Sequence, residues 1–368
     1  MPSPSRLLIA CGGTGGHLFP GIAVAETWRD RGGEVLLLIS EKQIDALATE
    51  GYDHLEFMQL PAVAMPPLLS LKLPGFVLCL GGQILTCRKL IRNFRADAVL
   101  GMGGFTSTAP LVAGSLAGKP TFIHESNAIP GRANKLNARF CQSALVGFEE
   151  CAPFFKNAKG VEVVGTPLRP AVVKKPSRGD ARARFGLRGD RRTLLVMGGS
   201  QGARRINELI AASLPAFASE WMQVLHICGP RDFELIKPAY DEHPEAGVLL
   251  DFCSDIENAY AAADLALCRS GAASSTELAY YEKPAVLIPY PFAADDHQTA
   301  NARIFSKPGA AELWVQDELS DETFTKRILQ LIDDEDRLKK MSSAMGALAV
   351  PDASARVCDV IAASLVRQ

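Results

Sequence analysis

LLIACGGTGGH, at residues 7–17, runs from an apolar strand into a turn of four glycines and ends on a histidine. The stretch LLVMGGSQGARRIN, at residues 194–207, repeats this arrangement with the same G-G-[ST]-x-G turn. Glycine inside an element costs roughly 0.5–1 kcal/mol relative to alanine, so such turns indicate a sharply bent backbone or the close approach of a ligand. Either a loop for an anionic ligand or a tight strand-to-helix turn fits the pattern. The repeat at the spacing of a domain predicts two similar α/β domains.

The composition is typical of a soluble globular protein. The chain has 368 residues, 48% of them hydrophobic and 22% charged, which is enough for two domains with separate cores. A net charge of −2 predicts no general attraction to nucleic acid, so we expect no nucleic-acid partner. The nine cysteines are scattered without metal-ligand spacing, which favours a reducing compartment.

Short apolar runs alternate with helical patterns along both halves of the chain. This alternation predicts parallel sheets covered by helices on both faces. We expect Rossmann-like domains over residues 1–165 and 193–349, joined by a linker at 166–192 that is rich in proline, glycine and basic side chains. The predicted strands are RLLIA, EVLLLI, AVLGM, PTFIH, SALVG, VEVVG, TLLVMG, QVLHICG, GVLLDF, LALCR, PAVLIPY and AELWV.

Neither glycine turn carries a dinucleotide or P-loop fingerprint. Leu18 stands where the third glycine of G-x-G-x-x-G is required, and Pro120 follows Gly118-Lys119 where a P-loop needs serine or threonine. This argues against an NAD-dependent dehydrogenase. A general property of helix starts remains, because their free N–H groups and dipole favour a diphosphate or a sugar hydroxyl.

The stretch CRSGAASSTELAYYE, at residues 268–282, places a strand end before a helix rich in small and hydroxyl residues. Such a helix start can surround phosphate oxygens. Glu277 is suited to accept the vicinal hydroxyls of a ribose, or is simply an acid near a helix start. Arg269 can bind a phosphate bidentately, or form an ordinary salt bridge.

Two further polar loops follow predicted strands. In ADDHQTANA, the amides of Gln298 and Asn301 suit a polyhydroxylated sugar, although a polar helix cap fits equally. HESNAIPGRANK gathers Glu125, Asn127 and Asn134 around a Pro-Gly turn. Because ligands of doubly wound folds bind at the carboxyl ends of the strands, we expect both loops to line ligand sites.

Seven motifs occur together in an order that is specific to one family. They are GGTGGHLFPGIAVA, GMGGFTSTAP, HESNAIPGRANK, VVGTPLRP, GGSQGARRIN, CRSGAASSTELA and DDHQTANA. With these motifs the chain resembles the MurG family, the peptidoglycan N-acetylglucosaminyltransferases that make lipid II. The resemblance implies an α/β fold of GT-B type, with two facing Rossmann-like domains and an interdomain cleft. It also implies that the last helix, about residues 350–368, packs back on the first domain.

The resemblance further implies a reaction and its partners. GlcNAc would move from UDP-GlcNAc to the 4-hydroxyl of MurNAc in undecaprenyl-pyrophosphoryl-MurNAc-pentapeptide (lipid I), with inversion, to give lipid II. The expected partners are UDP-GlcNAc, lipid I and the inner leaflet of the cytoplasmic membrane, with the protein bound peripherally on the cytoplasmic face. The alternatives are a UDP-GlcNAc epimerase or a related lipid glycosyltransferase on the same fold, or a non-catalytic nucleotide-sugar-binding subunit.

Matching positions carry the family's substrate contacts. The resemblance implies a donor-facing loop, a donor-sugar contact, two diphosphate contacts, a main-chain contact with uracil, a phosphate and ribose segment, and a second sugar contact. In that order the residues are Thr14, Gly15 and Gly16; Asn127; Arg169 and Ser200; Cys253; Ala272, Ala273, Ser274, Ser275, Thr276 and Glu277; and Gln298.

An inverting transfer needs a base that removes the acceptor proton. We expect His17 to be this base, because a helix N-terminus favours the neutral imidazole that a base requires. His17 could instead position the acceptor through a hydrogen bond, and Glu125 is the alternative base. We expect no metal or other cofactor, because the D-E-D sequence at 334–336 lies in a charged helical segment and helix-start N–H groups can match the diphosphate charge.

One stretch offers a surface for docking on a membrane. An apolar segment precedes the basic residues Arg88, Lys89, Arg92 and Arg95, which suits binding to anionic lipid without insertion. An internal helix with a solvated basic face fits the same pattern. The apolar residues are Leu68, Leu69, Leu71, Leu73, Phe76, Val77 and Leu78.

Overall fold

The computed structural model describes residues 5–12, 15–40, 51–61, 73–198, 203–218 and 221–366. The chain divides into two compact units. The first unit contains the chain up to Pro170 together with the chain from Val350 onward, and the second unit contains Ala171–Ala349.

The first unit is built on a seven-stranded parallel sheet with the order β3-β2-β1-β4-β5-β6-β7. The central strands are buried along their length, which explains why they read as continuous apolar runs. In chain order the strands are β1 (Arg6–Ala10), β2 (Glu34–Ser40), β3 (Glu56–Leu60), β4 (Ala98–Gly101), β5 (Thr121–Glu125), β6 (Ser143–Val146) and β7 (Val161–Val163).

The second unit repeats this plan with a six-stranded parallel sheet. Its order is β10-β9-β8-β11-β12-β13. The strands are β8 (Arg192–Met197), β9 (Met222–Ile227), β10 (Gly247–Leu250), β11 (Leu265–Cys268), β12 (Ala285–Leu287) and β13 (Ala311–Leu313).

The α-helices alternate with these strands along the chain. Those of the first unit are α1 (Gly15–Asp30), α2 (Leu73–Phe94), α3 (Thr108–Leu116) and α4 (Arg132–Asn137). Those of the second unit are α5 (Arg178–Arg184), α6 (Arg204–Ala218), α7 (Phe233–Glu242), α8 (Ile256–Ala262), α9 (Ala272–Tyr280), α10 (His297–Ser306), α11 (Asp321–Asp333) and α12 (Glu335–Ala347). The chain then returns to the first unit as α13 (Ala353–Val366).

Helices cover both faces of the sheet in the first unit. Leu7 and Ile9 of β1 pack into a buried cluster with residues of α1 and α13, including Ile361. Leu8 and Ala10 point the other way and pack with residues of α2 and α3. This alternation along β1 follows from the two-residue period of a strand.

Each sheet has one point where the strand order reverses. It lies between β1 and β4 in the first unit and between β8 and β11 in the second. Ligands of doubly wound sheets bind outside the carboxyl ends of the strands at such points. In the sequence, the two glycine turns directly follow β1 and β8, which are strands at the two reversal points.

The predicted linker at 166–192 is mostly ordered structure of the second unit. Ser177 caps α5 by accepting a hydrogen bond from the backbone of Asp180. The basic residues that resembled a solvated linker pair with Asp264, since Arg182 contacts it at 2.7 Å and Arg178 also bonds to it. Asp264 therefore fastens this segment to the start of β11.

One strand of the first sheet has no counterpart among the predicted strands. β3 is an edge strand that pairs with β2 alone among the described strands. It carries Glu56 and Gln59, and only its last residue is fully buried. An edge strand that is half exposed has no continuous apolar run, so the apolar pattern does not reveal it.

Candidate active site

The site of the first unit begins where β1 and β4 end. The loop after β4 folds onto the loop after β1, since Met102 N donates to Ala10 O and Thr106 Oγ1 donates to Gly12 O, each at 2.8 Å. The glycine-rich stretch GMGGFTS thus lies against the end of β1 and Gly12. Both lie at the reversal point of the first sheet.

Gly103 brings His17 and Asn134 together. Its φ of 117° lies in the region that favours glycine. A Cβ added there would lie 2.8 Å from Nε2 of His17 and 3.3 Å from Nδ2 of Asn134. The imidazole, in the first turn of α1 and partly exposed, therefore lies directly against bare backbone.

Glu125 organises the loop that follows β5. Its side chain is only 4% exposed. Oε1 accepts from the backbone N and from Nδ2 of Asn127, each at 2.9 Å. Oε2 accepts from Nδ2 of Asn134 at 2.8 Å and from the backbone N of Gly131 at 3.2 Å. The predicted gathering of Glu125, Asn127 and Asn134 around the Pro-Gly turn is thus what the structure has.

His124 is a buried neighbour of this carboxylate. Its Nε2 donates to the carbonyl of Gly165 at 2.9 Å, and Ser126 Oγ lies 3.5 Å from its Nδ1. Burial lowers the pKa of His124. The ring therefore serves as a neutral support that fixes the end of β5.

Arg169, a predicted diphosphate contact, lies in the first unit. Its guanidinium stacks over the ring of Phe19 in α1, 4.7 Å from the ring centroid. The same ring packs close to Gly15, whose added Cβ would lie 3.3 Å from Cε2 of Phe19. A cation stacked on an aromatic face is held in a defined orientation. Phe19 thus connects Arg169 with the start of α1.

The site of the second unit begins at the start of α9. Gly271 is the N-cap residue and forms no side-chain cap, while Ala273 and Ser274 are partly exposed. Because glycine has no side chain, Gly271 leaves the first backbone N–H groups of this nine-residue helix without a side-chain cap. Such a helix start is suited to oxyanion binding.

Glu277 lies between this helix start and the core. It is 3% exposed, and Tyr260 of α8, which is 1% exposed, donates its phenol to Oε2 at 2.6 Å. This bond has the length of a charge-assisted O–H···O⁻ hydrogen bond. The carboxylate is therefore fixed in the core and is not a solvated acid of a helix start.

Gln298 and Asn301 are tied to the strand end that precedes α9. Ser270 Oγ donates to the carbonyl of Gln298 at 2.8 Å, and Nδ2 of Asn301 donates to the carbonyl of Ser270 at 3.0 Å. Oε1 of Gln298 accepts from the backbone N of Tyr290 at 2.9 Å. These bonds connect α10 to the loop after β11, so both predicted sugar-site residues belong to the same reversal point.

The guanidinium of Arg269 is bonded to the segments that follow β12 and β13. Its Nη1 donates to the carbonyls of Ile288 and Pro289, each at 3.1 Å, and its Nη2 donates to Oε1 of Gln316 at 2.7 Å. It also lies over the ring of Tyr290. These partners are neutral groups and not the carboxylate of a salt bridge, and binding of a phosphate by Arg269 stays a prediction.

Two buried polar atoms at these sites have no hydrogen-bond partner within the described part of the chain, namely Oδ1 of Asn134 and Oγ of Ser275. An unpaired buried polar atom costs about 1–3 kcal/mol. Each is therefore suited to pair with a bound ligand. Thr276 differs, because its hydroxyl donates to the carbonyl of Ala272 at 2.8 Å.

Of five further predicted contact residues, two lie outside the described ranges and three are located by their position in the fold. Thr14 and Ser200 lie outside the described residues. Cys253 is partly buried in the loop after β10. Gly15 and Gly16 are the first residues of α1.

The structure also adds two residues to the candidate site that the sequence analysis did not name, Gly103 and Tyr260. Only Gly103 could have been found from the sequence, since it lies in a glycine-rich stretch that follows a strand.

Comparison with known proteins assigns the chain to a family. The glycosyltransferase family 28 N-terminal domain matches residues 7–146, and the glycosyltransferase family 28 C-terminal domain matches residues 193–357. The chain belongs to glycosyltransferase family 28. The family boundaries agree with the two sheets, since the first match begins in β1 and the second begins in β8.

A curated relative within this family extends along the whole chain. It is the UDP-N-acetylglucosamine–N-acetylmuramyl-(pentapeptide) pyrophosphoryl-undecaprenol N-acetylglucosamine transferase of Geobacter sulfurreducens, which is 38% identical over 98% of each chain. The crystal structure of Acinetobacter baumannii MurG is 27% identical, with a TM-score of 0.77 over 97% of this chain and 99% of that one. The resemblance to the MurG family is therefore confirmed, as is the two-domain α/β fold of GT-B type.

The fold is shared with enzymes that do not transfer sugars to lipids. The UDP-GlcNAc 2-epimerase of Neisseria meningitidis, in a structure bound to UDP-GlcNAc, is 14% identical with a TM-score of 0.70 over 99% of this chain and all of that one. At this identity the likeness concerns the fold alone. Membership of family 28 therefore rests on the sequence matches.

Proposed function

We propose that this chain transfers N-acetylglucosamine from UDP-GlcNAc to the 4-hydroxyl of the muramoyl sugar of lipid I, with inversion at the transferred carbon, to give lipid II. The observation that carries this proposal is the 38% identity, over 98% of each chain, with the Geobacter sulfurreducens transferase named above. In this proposal the second unit binds the donor and the first unit binds the acceptor.

Donor binding uses the start of α9 and the residues around it. The uncapped N–H groups of this helix neutralise the diphosphate. Glu277 accepts the ribose hydroxyls, and Ser275 Oγ supplies a buried polar atom that has no partner in the described structure. Because Oε1 of Gln298 is already engaged by Tyr290, its amide is oriented with Nε2 as the donor for a sugar oxygen.

His17 is the base in this proposal, and Glu125 is a positioning residue. Glu125 is buried and accepts four hydrogen bonds from its own loop, so its lone pairs already hold that loop in place. His17 is partly exposed at a helix start and lies against the backbone of Gly103, where a hydroxyl can approach. A base must be able to reach the proton that it removes.

The D-E-D sequence at 334–336 has structural partners. Asp334 caps α12 by accepting from Arg337 N at 2.9 Å, and Glu335 pairs with Lys339 at 2.7 Å. These two carboxylates stabilise the first turn of α12 by a backbone cap and a surface salt bridge. We therefore assign the charge of the departing diphosphate to helix-start N–H groups and not to a metal held by this sequence.

Membrane docking is assigned to helix α2. Its first half exposes the apolar side chains of Val77, at 57%, and Leu78, at 78%, and Leu85 just beyond the middle is 62% exposed. Its second half and the residue after it expose Arg88, Lys89, Arg92 and Arg95. No helix in the described ranges is both long and apolar enough to cross a bilayer. An apolar surface beside a basic one suits peripheral binding to anionic lipid. Leu68, Leu69 and Leu71 of the predicted patch lie outside the described residues.

The reaction is tested by incubating the protein with UDP-GlcNAc and a short-chain lipid I analogue, with and without EDTA. We expect release of UDP together with a disaccharide-lipid product in both conditions. Release of UDP without the lipid, or formation of an epimerised sugar, would contradict the proposal. A strict requirement for Mg²⁺ would contradict the assignment of the diphosphate charge to helix-start N–H groups.

The base is tested with His17→Ala. This substitution should lower kcat by about 10³-fold if the imidazole is the base, whereas near-normal turnover would exclude His17 as the base.

The membrane assignment is tested by flotation with vesicles of anionic and of neutral lipid. Replacing Arg88, Lys89, Arg92 and Arg95 with glutamate should release the protein from anionic vesicles and leave its affinity for UDP-GlcNAc unchanged. Leu78→Asp should weaken binding to both kinds of vesicle. As a matched control, Arg204→Glu in the second unit changes an exposed cation and should leave vesicle binding intact. Equal binding by all variants would exclude α2 as the docking surface.

A further inference from the structure

Tyr260 is a buried phenol whose hydroxyl points at a carboxylate of the donor site. It lies in α8 and its partner Glu277 lies in α9, 17 positions further along the chain. Both side chains are almost fully buried, and the bond between them is 2.6 Å long. The contact therefore joins two helices at a point where solvent has little access.

A buried carboxylate needs donors, since removing its charge from water is costly. A tyrosine supplies a donor at a fixed position, because its ring has few rotatable bonds and the surrounding core restrains them. The ring of Tyr260 also packs against that of Tyr281, with centroids 5.4 Å apart. The phenol of Tyr260 is thus held at both its ring and its hydroxyl.

We propose that Tyr260 is a positioning residue for nucleotide recognition, which aims the carboxylate of Glu277 so that it can accept the hydroxyls of a ribose. The inference rests on the proposed function, in which Glu277 binds the ribose of the donor. Because the phenol holds Oε2, the plane of the carboxylate is fixed. The remaining lone pairs of the carboxylate then have a fixed orientation. Tyr260 therefore determines the preference for ribonucleotide donors without touching the substrate.

The test compares UDP-GlcNAc with its 2′-deoxyribose analogue as donors. Tyr260→Phe removes one oxygen atom and keeps the ring. We expect it to lower the ratio of kcat/KM for the ribose donor to that for the deoxyribose donor by about 10-fold, as for loss of a hydrogen bond to a charged group. The change should appear in KM for the ribose donor, with kcat at saturation nearly unchanged. An unaltered ratio would overturn the proposal.

Tyr281→Phe is the matched control. It removes a buried phenol of the same cluster whose hydroxyl bonds to a backbone carbonyl and not to Glu277. It should lower the unfolding temperature and leave the ribose preference unchanged. If both variants reduce the preference equally, the role of Tyr260 is only structural. If Tyr260→Phe fails to fold, Tyr260 is replaced with 4-aminophenylalanine, which keeps a hydrogen-bond donor. This variant should retain the preference for the ribose donor, and loss of the preference in it would also overturn the proposal.

Glu277→Ala separates this inference from the proposed function. If it leaves the preference for the ribose donor unchanged, Glu277 does not read the ribose and the donor-site assignment itself fails. If Glu277→Ala abolishes the preference while Tyr260→Phe does not change it, the donor site stands and only the positioning role fails. In the Glu277→Ala background, Tyr260→Phe should have no further effect on the ratio.

Discussion

Two buried glutamates show how differently the two units hold their functional side chains. Glu125, at the end of β5, is 4% exposed and accepts hydrogen bonds from Asn127, Gly131 and Asn134 of the loop that follows it. Glu277, inside α9, is 3% exposed and accepts a bond from Tyr260 of another helix. The first carboxylate is fixed by its own loop, and the second is oriented by a neighbouring element.

The difference predicts how each site fails. A carboxylate that gathers four donors determines the conformation of the loop, so its loss changes the positions of every group on that loop. A carboxylate oriented by a phenol lies on a helix that is formed by its own backbone bonds, so its loss leaves the conformation of that helix in place. A side-chain network therefore fixes the candidate site of the first unit, whereas helix packing fixes that of the second.

The largest expected effect is that of Glu125→Gln. The side-chain NH₂ group of a glutamine donates hydrogen bonds and does not accept them. In either orientation it would face donors, those of Asn127 or those of Gly131 and Asn134, so glutamine cannot replace the carboxylate. We expect the free energy of unfolding of the first unit to fall by about 3 kcal/mol. Transfer should fall by about 10³-fold because the loop loses its geometry. Urea unfolding, hydrogen exchange of residues 126–134 and initial rates measure these effects.

Glu277→Gln is the counterpart in the second unit. The phenol of Tyr260 can still donate to the amide oxygen, so we expect a loss of only about 1 kcal/mol in unfolding free energy. Hydrogen exchange should remain slow along α9. If the two substitutions disturb their surroundings equally, the contrast between a loop network and an oriented side chain is wrong.

The next effect is that of Gly103→Ala, which acts on His17 through the backbone. The new Cβ would lie 2.8 Å from Nε2 of the imidazole, and φ at this position is 117°. The ring must move, and we expect kcat to fall by about 10²-fold. KM for UDP-GlcNAc should stay unchanged, since His17 acts on the acceptor in our proposal. Steady-state kinetics with both substrates varied separates the two constants.

Gly32→Ala is the control for this substitution. Gly32 also has a positive φ, of 85°, but an added Cβ meets no atom within 4 Å. Gly32→Ala therefore introduces the same kind of backbone strain, but its Cβ displaces no neighbouring atom. The free energy of unfolding should fall, whereas kcat should not change. Equal losses of kcat in the two variants would show that strain, and not displacement of His17, is responsible.

Much of the fold was predictable because buried parallel strands read as apolar runs. Each of the twelve predicted runs coincides with a strand, whereas β3 escaped because an edge strand that carries Glu56 and Gln59 lacks such a run. The segment around Arg182 was taken for a linker because its basic side chains resembled a solvated surface. Their partner, Asp264, lies far along the chain, and sequence alone does not show which carboxylate a basic residue meets.

The candidate site divides in the same way. The gathering of Glu125 and Asn134 was predictable because their bonds close a short loop within one motif. The contact between Gly103 and His17 depends on β1 and β4 being neighbours, which follows from strand order and not from local sequence. The bonds of Arg269 to Ile288 and Pro289 were not predictable, because backbone carbonyls leave no signal in a sequence.

The last expected effect concerns a buried histidine in the second unit and depends on pH. Nε2 of His226 lies 3.0 Å from Oδ1 of Asn207, and its Nδ1 lies 3.1 Å from the hydroxyl of Tyr240. Burial lowers the pKa of His226 from 6.5 to about 3. The ring is therefore neutral in the folded chain and takes up a proton on unfolding. The free energy of unfolding should fall as the pH drops below about 6.5, and should stop falling near the folded value.

His226→Gln should remove this contribution. Between about pH 7 and pH 5 a single histidine of this kind lowers the free energy of unfolding by about 2 kcal/mol, so the variant should lose that much less on acidification. Tyr240→Phe is the control, because it removes the phenol and keeps the buried ring; it should be less stable at both pH values with the same dependence. Urea unfolding of the second unit at the two pH values measures this. An unchanged pH dependence in His226→Gln would show that acid acts on the second unit through groups other than this histidine of β9.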